Sequence, residues 1–352
     1  MQPFVYNALP ARVIFGSGTL SQVGHEIQRL GCSKALVLTG STHSKKGEAL
    51  RTDLGELAVG LYPNAAMHTP TNITDAAVEL AQTLGADCVV ALGGGSAVGL
   101  AKAIAFRTDL HQIVIPTSYS GSEATAIIGQ TENGIKTTQK TLKVVPEVII
   151  YDVDLTLSLP AQMTITSGIN AMAHAVEALY STECNPVTDM LAEQGIARLA
   201  SALPILAQDP QNSEARSDAL FGAWACGSCA GMVSMALQHK LSHTLGGTFK
   251  LPHAETHTVV LPHSIAYNTP FAEAAMARVA RSLGAATAAQ GMFDLAKSLG
   301  APYSLKELGM KEEDLERAVE VALKSPYPNP APLEREKLLG LLRDAYEGNR
   351  PA

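Results

Sequence analysis

The sequence predicts an α/β domain with a mostly parallel sheet over residues 1–155, followed by an all-helical domain over residues 156–352. Three observations lead there. A chain of 352 residues exceeds the size at which one hydrophobic core is usual. Its N-terminal part alternates short β-rich apolar runs with amphipathic stretches, the mark of a parallel sheet with helices on its faces. After about Leu155 the β-rich runs cease.

The strands are expected at "RVIF" (12–15), "KALVLT" (34–39), "DCVVAL" (87–92), "QIVIPT" (112–117) and "EVIIYD" (147–152), each apolar and bounded by turn residues. Helical stretches such as "NITDAAVELAQTLG" (72–85) and "SAVGLAKAIAF" (96–106) lie between them. Beyond them, 159–181, 187–208, 214–247 and the remainder to about Tyr346 read as helices broken by Pro, Gly or Asn. With no long linker, the two parts are expected to pack closely around a cleft.

Composition narrows the function. Apolar residues make up 46% of the chain, enough for a sizeable core, and a net charge of −7 argues against a general affinity for nucleic acid or an acidic membrane surface. The N-terminus lacks the basic-then-apolar pattern of a signal peptide, and no run of about 18 apolar residues suggests a membrane span, so a cytoplasmic protein is expected. The five cysteines follow no disulfide framework. "CGSC" at 226–229 invites a redox reading, yet its small-residue surroundings favour close helix packing.

In "ALGGGSAVGLAKAIA" a strand runs into Gly93, Gly94 and Gly95 and then into a helix that Ser96 can cap. Glycines let the backbone approach a pyrophosphate, and the helix N-terminus offers unpaired N–H groups, so this part reads as a dinucleotide-binding domain. The strict fingerprint is absent, since its third glycine would fall on Val98; a plain tight turn is the competing account. A second loop, "IPTSYSGSEAT", also follows a strand. Thr117, Ser118 and Ser120 offer hydroxyls there and Tyr119 a phenol or a stacking face, unless the loop is merely a polar surface.

The helical part carries a pattern of its own. Asn170 and His174 are four residues apart on one predicted helix, and His239 and His243 repeat that spacing on another. His253 follows beyond Gly246 and Gly247, which read as a helix break. Five polar groups on otherwise apolar helices point to one shared pocket.

These motifs, with "RVIFGSG", "HKLSHTLGGTFKLPHAETHTVVLPH" and "SPYPNPAP", resemble the iron-containing alcohol dehydrogenase family over nearly the whole length. The resemblance implies the dehydroquinate synthase-like, iron-type alcohol dehydrogenase fold and a homodimer. It implies that Gly94, Gly95 and Ser96 hold a pyrophosphate, that Thr117 and Ser118 approach the ribose or diphosphate, and that Lys136 reaches the nicotinamide side; a solvated hairpin charge is the alternative for Lys136. In metal-dependent members one Asp and three His hold iron or zinc, and those positions fall here on Asn170, His174, His239 and His253. A neutral amide is a poor ligand beside a carboxylate, so no metal is expected. Gly99 stands where metal-dependent members have Asp after the glycine turn, and Gly40 where many have Asp after an early strand, which leaves NADH or NADPH open.

The expectation is therefore an NAD(P)H-dependent oxidoreductase that reduces a conjugated C=C of a small dicarboxylate in aromatic-compound degradation. Tyr119, Asn170, His174 and His239 are assigned to the substrate, and His243 and His253 to catalysis. The competing reading is a metal-dependent alcohol dehydrogenase of small alcohols.

Overall fold

The central strands carry apolar side chains at successive positions and no polar face, which suits a sheet covered on both sides. In the computed structural model this sheet has six strands: β1 (Arg12–Gly16), β2 (Ala35–Leu38), β3 (Ala58–Tyr62), β4 (Cys88–Gly93), β5 (His111–Pro116) and, later in the chain, β8 (Val148–Asp152). All pair in parallel, in the order β1-β8-β5-β4-β2-β3. The structure describes residues 4–9, 11–132 and 135–352, with the backbone alone for Ile135 and Lys136.

Helices α1 (Val23–Arg29) and α2 (Ser44–Leu54) cover one face, where Val23, Ile27 and Leu50 meet Val37, Val90, Ile113 and Ile150. Helices α3 (Thr71–Leu84) and α4 (Gly95–Thr108) cover the other, where Ala77, Ala81, Ala101 and Ile104 meet Leu36, Val89 and Val114. An antiparallel pair, β6 (Ile127–Glu132) and β7 (Ile135–Lys140), stands apart from this sheet.

Two strand regions escape the sequence pattern. β3 contains Gly60, which weakens its β signal; a Cβ there would fall 2.5 Å from Leu84 Cδ1, so helix packing explains the glycine. The β6–β7 pair is largely polar and presents no apolar run to read.

One compact unit is Ala8–Leu159; the other is Pro160–Ala352, with the residues up to Asn7 counted to it. The first unit extends past residue 155 because the turn after β8 is tied to its sheet. Asp152 accepts from the amides of Gly18, Leu20 and Asp154, and Asp154 accepts from Ser17 Oγ at 2.7 Å.

The second unit consists of helices: α5 (Ala161–Tyr180), α6 (Pro186–Gln208), α7 (Ser213–Met232), α8 (Leu237–Phe249), α9 (His253–Asn268), α10 (Glu273–Leu283), α11 (Ala288–Ser298), α12 (Leu315–Lys324) and α13 (Arg335–Glu347). The stretch 214–247, which reads as one helix, is two: the chain turns extended at Val233, and α7 and α8 are bent by 97°. Nor do Gly246 and Gly247 break a helix. α8 runs through them to Phe249 and ends on Lys250 in left-handed backbone. Among the described residues no single helix is long and apolar enough to cross a membrane.

Cys226 and Cys229 of "CGSC" are fully buried, and burial pushes both thiols upward, Cys229 to about 12. A Cβ on Gly195 of α6 would lie 2.6 Å from Cys226 Sγ, so the small residues serve close helix approach.

Candidate active site

At the carboxyl edge of the sheet, adjacent strands β2, β4 and β5 release three turns. Gly93 has φ +153°, left-handed backbone that favours glycine, and Gly94 is the N-cap of α4. No side chain caps this helix: Ser96 lies inside its first turn, which corrects its assignment as the cap. A Cβ on Gly95 would meet nothing within 4 Å, so the space beside the start of α4 is open, as an anion-binding helix start requires.

The β5 turn closes on this cradle. Thr117 N–H donates to Gly93 O at 3.1 Å, and Ser118 Oγ sits 3.0 Å from where a Gly94 Cβ would be. The β2 turn joins through His43, whose Nε2 lies 3.4 Å from Thr117 Oγ1. At Gly99 a Cβ would fall 2.4 Å from Thr69 Oγ1, so Thr69 fills the room that an Asp there would need. Thr69 holds φ 47°, a strained value for a β-branched residue. Tyr119 is fully buried. The Lys136 side chain lies outside the described residues.

The helical unit brings His174 from α5, His239 and His243 from α8, and His253 from the start of α9 into one cluster. The His174 and His239 rings stack with centroids 4.9 Å apart, and His243 and His253 stack at 6.2 Å. Asn170 is buried one turn before His174. His257, one turn after His253 on α9, completes the cluster, with its ring 4.7 Å from that of His239 and 4.6 Å from that of His253.

Sequence reading overlooked what orients these rings. Glu177 is fully buried on α5, and its Oε2 lies 2.7 Å from His239 Nδ1. The same carboxylate accepts from the amides of Ala236 at 2.8 Å and Gln238 at 2.7 Å, and so caps α8 and fixes the break before it. The signal was available: Glu177 follows His174 by three residues on the helix face that begins at Asn170. Tyr327, in "SPYPNP", places its hydroxyl 3.3 Å from His243 Nδ1.

Burial and mutual repulsion set the charge of the cluster. His174 and His257 are held well below the ordinary imidazole range, by desolvation first and then by neighbouring histidines. His174 Nδ1, His239 Nε2 and His257 Nε2 are buried without a hydrogen-bond partner. Burial raises the Tyr327 phenol, which therefore keeps its proton and can donate to His243 Nδ1; the ring's own proton then sits on Nε2.

The donor set fits a family metal poorly. Asn170, His174, His239 and His253 include no carboxylate. Among the described residues the only three metal-type ligand atoms mutually within 4.8 Å belong to Cys32, Asp87 and Cys88, which lie in the α/β unit. The Asp87 carboxylate there is engaged by the amides of Ser33 and Lys34.

A parallel α/β unit with a glycine-turn helix start, followed by a helical unit with an Asn/His cluster, is one architecture throughout, and the chain belongs to the iron-containing alcohol dehydrogenase family. It matches that family over residues 10–153 and the family's C-terminal region over 164–346. Within it, the chain is 52% identical over 351 residues to the maleylacetate reductase of Rhizobium sp. (strain MTP-10005), covering 100% of both chains. It is 51% identical to that of Sphingobium indicum, covering 99% of each. The crystal structure of maleylacetate reductase from Agrobacterium tumefaciens superposes with a TM-score of 0.97 at 52% identity, again over 100% of both chains.

Proposed function

We propose that the chain is a maleylacetate reductase, an NAD(P)H-dependent oxidoreductase that reduces maleylacetate to 3-oxoadipate in the degradation of aromatic compounds. The observation that carries the reading is a buried histidine cluster whose one oriented carboxylate, Glu177, is already engaged by α8 and His239. Such a cluster presents nitrogen groups to an anionic substrate and no anionic ligand to a metal. The full-length relatives of that name support it.

The nicotinamide cofactor supplies a hydride when bound; Gly94, Gly95 and Ser96 are the residues that would hold its pyrophosphate, with Thr117 and Ser118 toward the ribose or diphosphate. Everything else falls to the chain's own side chains. Maleylacetate is a dianion with a C=C conjugated to a ketone. Hydride addition at the alkene carbon β to the ketone leaves an enolate, and a proton at the α carbon completes 3-oxoadipate. His243, with its proton on Nε2, or His253 donates to the enolate oxygen; one well-placed donor is worth roughly 3 to 4 kcal/mol in comparable oxyanion sites. One of the two, or water held by them, then protonates the α carbon.

His174 and His239, with Asn170, face the carboxylates. Neutral His174 does so by hydrogen bonding. His239 is oriented by Glu177 through Nδ1, which leaves its Nε2 toward the substrate. Tyr119, being buried, supports its loop. An enolate is a delocalised charge that hydrogen-bond donors can stabilise, whereas an alkoxide leans on a Lewis acid. The reaction therefore needs no metal here. A cytoplasmic homodimer free of nucleic acid and membrane completes the proposal.

A substrate panel on chelator-treated protein tests this. Maleylacetate should turn over at the untreated rate while small alcohols do not, with well under one Fe or Zn per chain. Deuteride from labelled cofactor should appear at the former alkene carbon. Label on a carbinol carbon, or activity that returns only with metal, would overturn the reading.

A further inference from the structure

The α/β unit buries a lysine and a glutamate that hydride transfer does not require. Lys102 lies on α4, seven residues after Gly95, and is 2% exposed. Its Nζ donates to Ser122 O at 2.5 Å, Thr125 O at 2.7 Å, Thr125 Oγ1 at 2.9 Å and Ile127 O at 3.0 Å. Glu123, fully buried in the same segment, accepts from Tyr151 Oη at 3.0 Å and from Ser120 Oγ at 3.2 Å. Helix α4, whose first turn is the glycine cradle, thus grips the end of the loop that carries Thr117 and Ser118.

Such burial is costly, and in general an apolar replacement of a buried ion pair is neutral or stabilising. Desolvation lowers Lys102 to about 7 and raises Glu123, with each charge partly sustaining the other. What a hydrocarbon could not provide is direction: four oxygens from three residues converge on one atom. The segment they hold continues from the turn where Thr117 N–H meets Gly93 O and Ser118 abuts Gly94.

We propose that Lys102 is a positioning residue for cofactor binding, with Glu123 as its counter-charge: together they fix residues 120–127 on α4 so that Thr117 and Ser118 face the glycine turn. This rests on the cofactor occupying that edge. It assigns Lys102 no contact with the cofactor.

The test uses the full-length enzyme and three readouts: NADH dissociation by fluorescence titration, steady-state kcat and KM, and thermal midpoint. Lys102→Met should weaken NADH binding by about tenfold or more, with kcat at saturating NADH and KM for maleylacetate nearly unchanged. It should also lose stability, because the buried oxygens of Ser122, Thr125 and Ile127 lose their donor and Glu123 loses its counter-charge. The double variant Lys102→Met/Glu123→Gln should regain part of the thermal midpoint, the buried oxygens of Ser122, Thr125 and Ile127 still lacking their donor, but not the NADH affinity; recovery of NADH affinity with the midpoint would reduce the pair to a structural element and overturn the proposal. Thr125→Val, which removes one acceptor and no charge, should weaken NADH about threefold, and it decides the matter if neither Lys102 variant folds: unchanged affinity there overturns the proposal. Ser118→Ala separates the two readings. If it leaves NADH binding unchanged, the cofactor assignment fails; if it weakens binding while the double variant binds normally, the role of Lys102 fails.

Discussion

At the carboxyl edge of the sheet, the groups that would meet a ligand are backbone N–H groups and hydroxyls on short turns. In the helical unit they are imidazoles from three helices, of which His239 is held by Glu177 and His243 by Tyr327. The first arrangement is specified locally: Gly93 to Ser96 are consecutive, and the strand and helix around them fix their directions. The second is specified at a distance, since Glu177 of α5 sets both the start of α8 and the orientation of His239. A backbone site should therefore fail gradually and chiefly at glycines, whereas a side-chain site should fail sharply wherever an orienting partner is lost.

The sharpest failure should come at Glu177. Glu177→Gln keeps an acceptor for α8 but sets an amide against His239 Nδ1 and removes its counter-charge. Loss of charge from a buried Asp–His pair elsewhere costs about 10⁴-fold through the wrong tautomer, and roughly 10³-fold in kcat is expected here. Thermal stability should fall as well, because the buried amides of Ala236 and Gln238 lose part of their acceptor. A variant that loses stability but retains kcat would show that Glu177 only starts the helix.

Next comes His243→Ala, expected to lower kcat by about 10²-fold or more with NADH affinity nearly normal. Its ring borders His239, His253, His257 and Tyr327, so lost packing is the competing explanation. An unchanged thermal midpoint together with the lowered kcat isolates chemistry from packing. A lowered midpoint with kcat intact would withdraw His243 from catalysis.

Gly94→Val sharpens the other side of the comparison. The added side chain would press on Ser118 Oγ, 3.0 Å from the Cβ position. NADH KM should rise about tenfold while KM for maleylacetate holds. If both rise together, the two regions do not divide cofactor and substrate as proposed.

The same contrast explains what could be read in advance. The alternation of apolar runs and helices gave the parallel sheet, and the glycine turn gave its ligand edge, because both signals are local and periodic. Spacing of four put His174 after Asn170 and His243 after His239, and the cluster gathers these three histidines together with His253. Glu177 and His257 were missed although both continue a helical spacing, since one acid among many and one histidine after three carry no mark of burial. The break between α7 and α8 was illegible for a stronger reason: it is imposed by a carboxylate 59 residues before Ala236. Lys102 carries no signal in the sequence, since nothing local announces four buried acceptors.

The smallest effect on turnover, and the last way to separate the regions, is acid sensitivity. His263 on α9 is buried with no partner for Nε2, and desolvation lowers it to about 4 from 6.5 despite the opposing charge of Asp344. Its folded value lies below the unfolded one. The stability it contributes is thus complete above pH 6.5, because both states are then neutral, and it drains as pH falls toward 4, where the unfolded chain takes a proton that the folded ring refuses. That shift corresponds to roughly 3 kcal/mol. His174 and His257, also lowered, act in the same direction within the same unit. In the α/β unit half-buried His43 is lowered in this window; the lowered carboxylates Glu26, Glu48 and Asp87 matter below about pH 4.5. Hydrogen exchange at pH 5 should therefore open the helical unit before the sheet. His263→Gln should flatten the loss of denaturation midpoint between pH 7 and 4.5 while leaving kcat at pH 7 within about twofold of wild type. Exchange that begins in the sheet, or an unchanged slope in the variant, would place the acid-labile charge elsewhere.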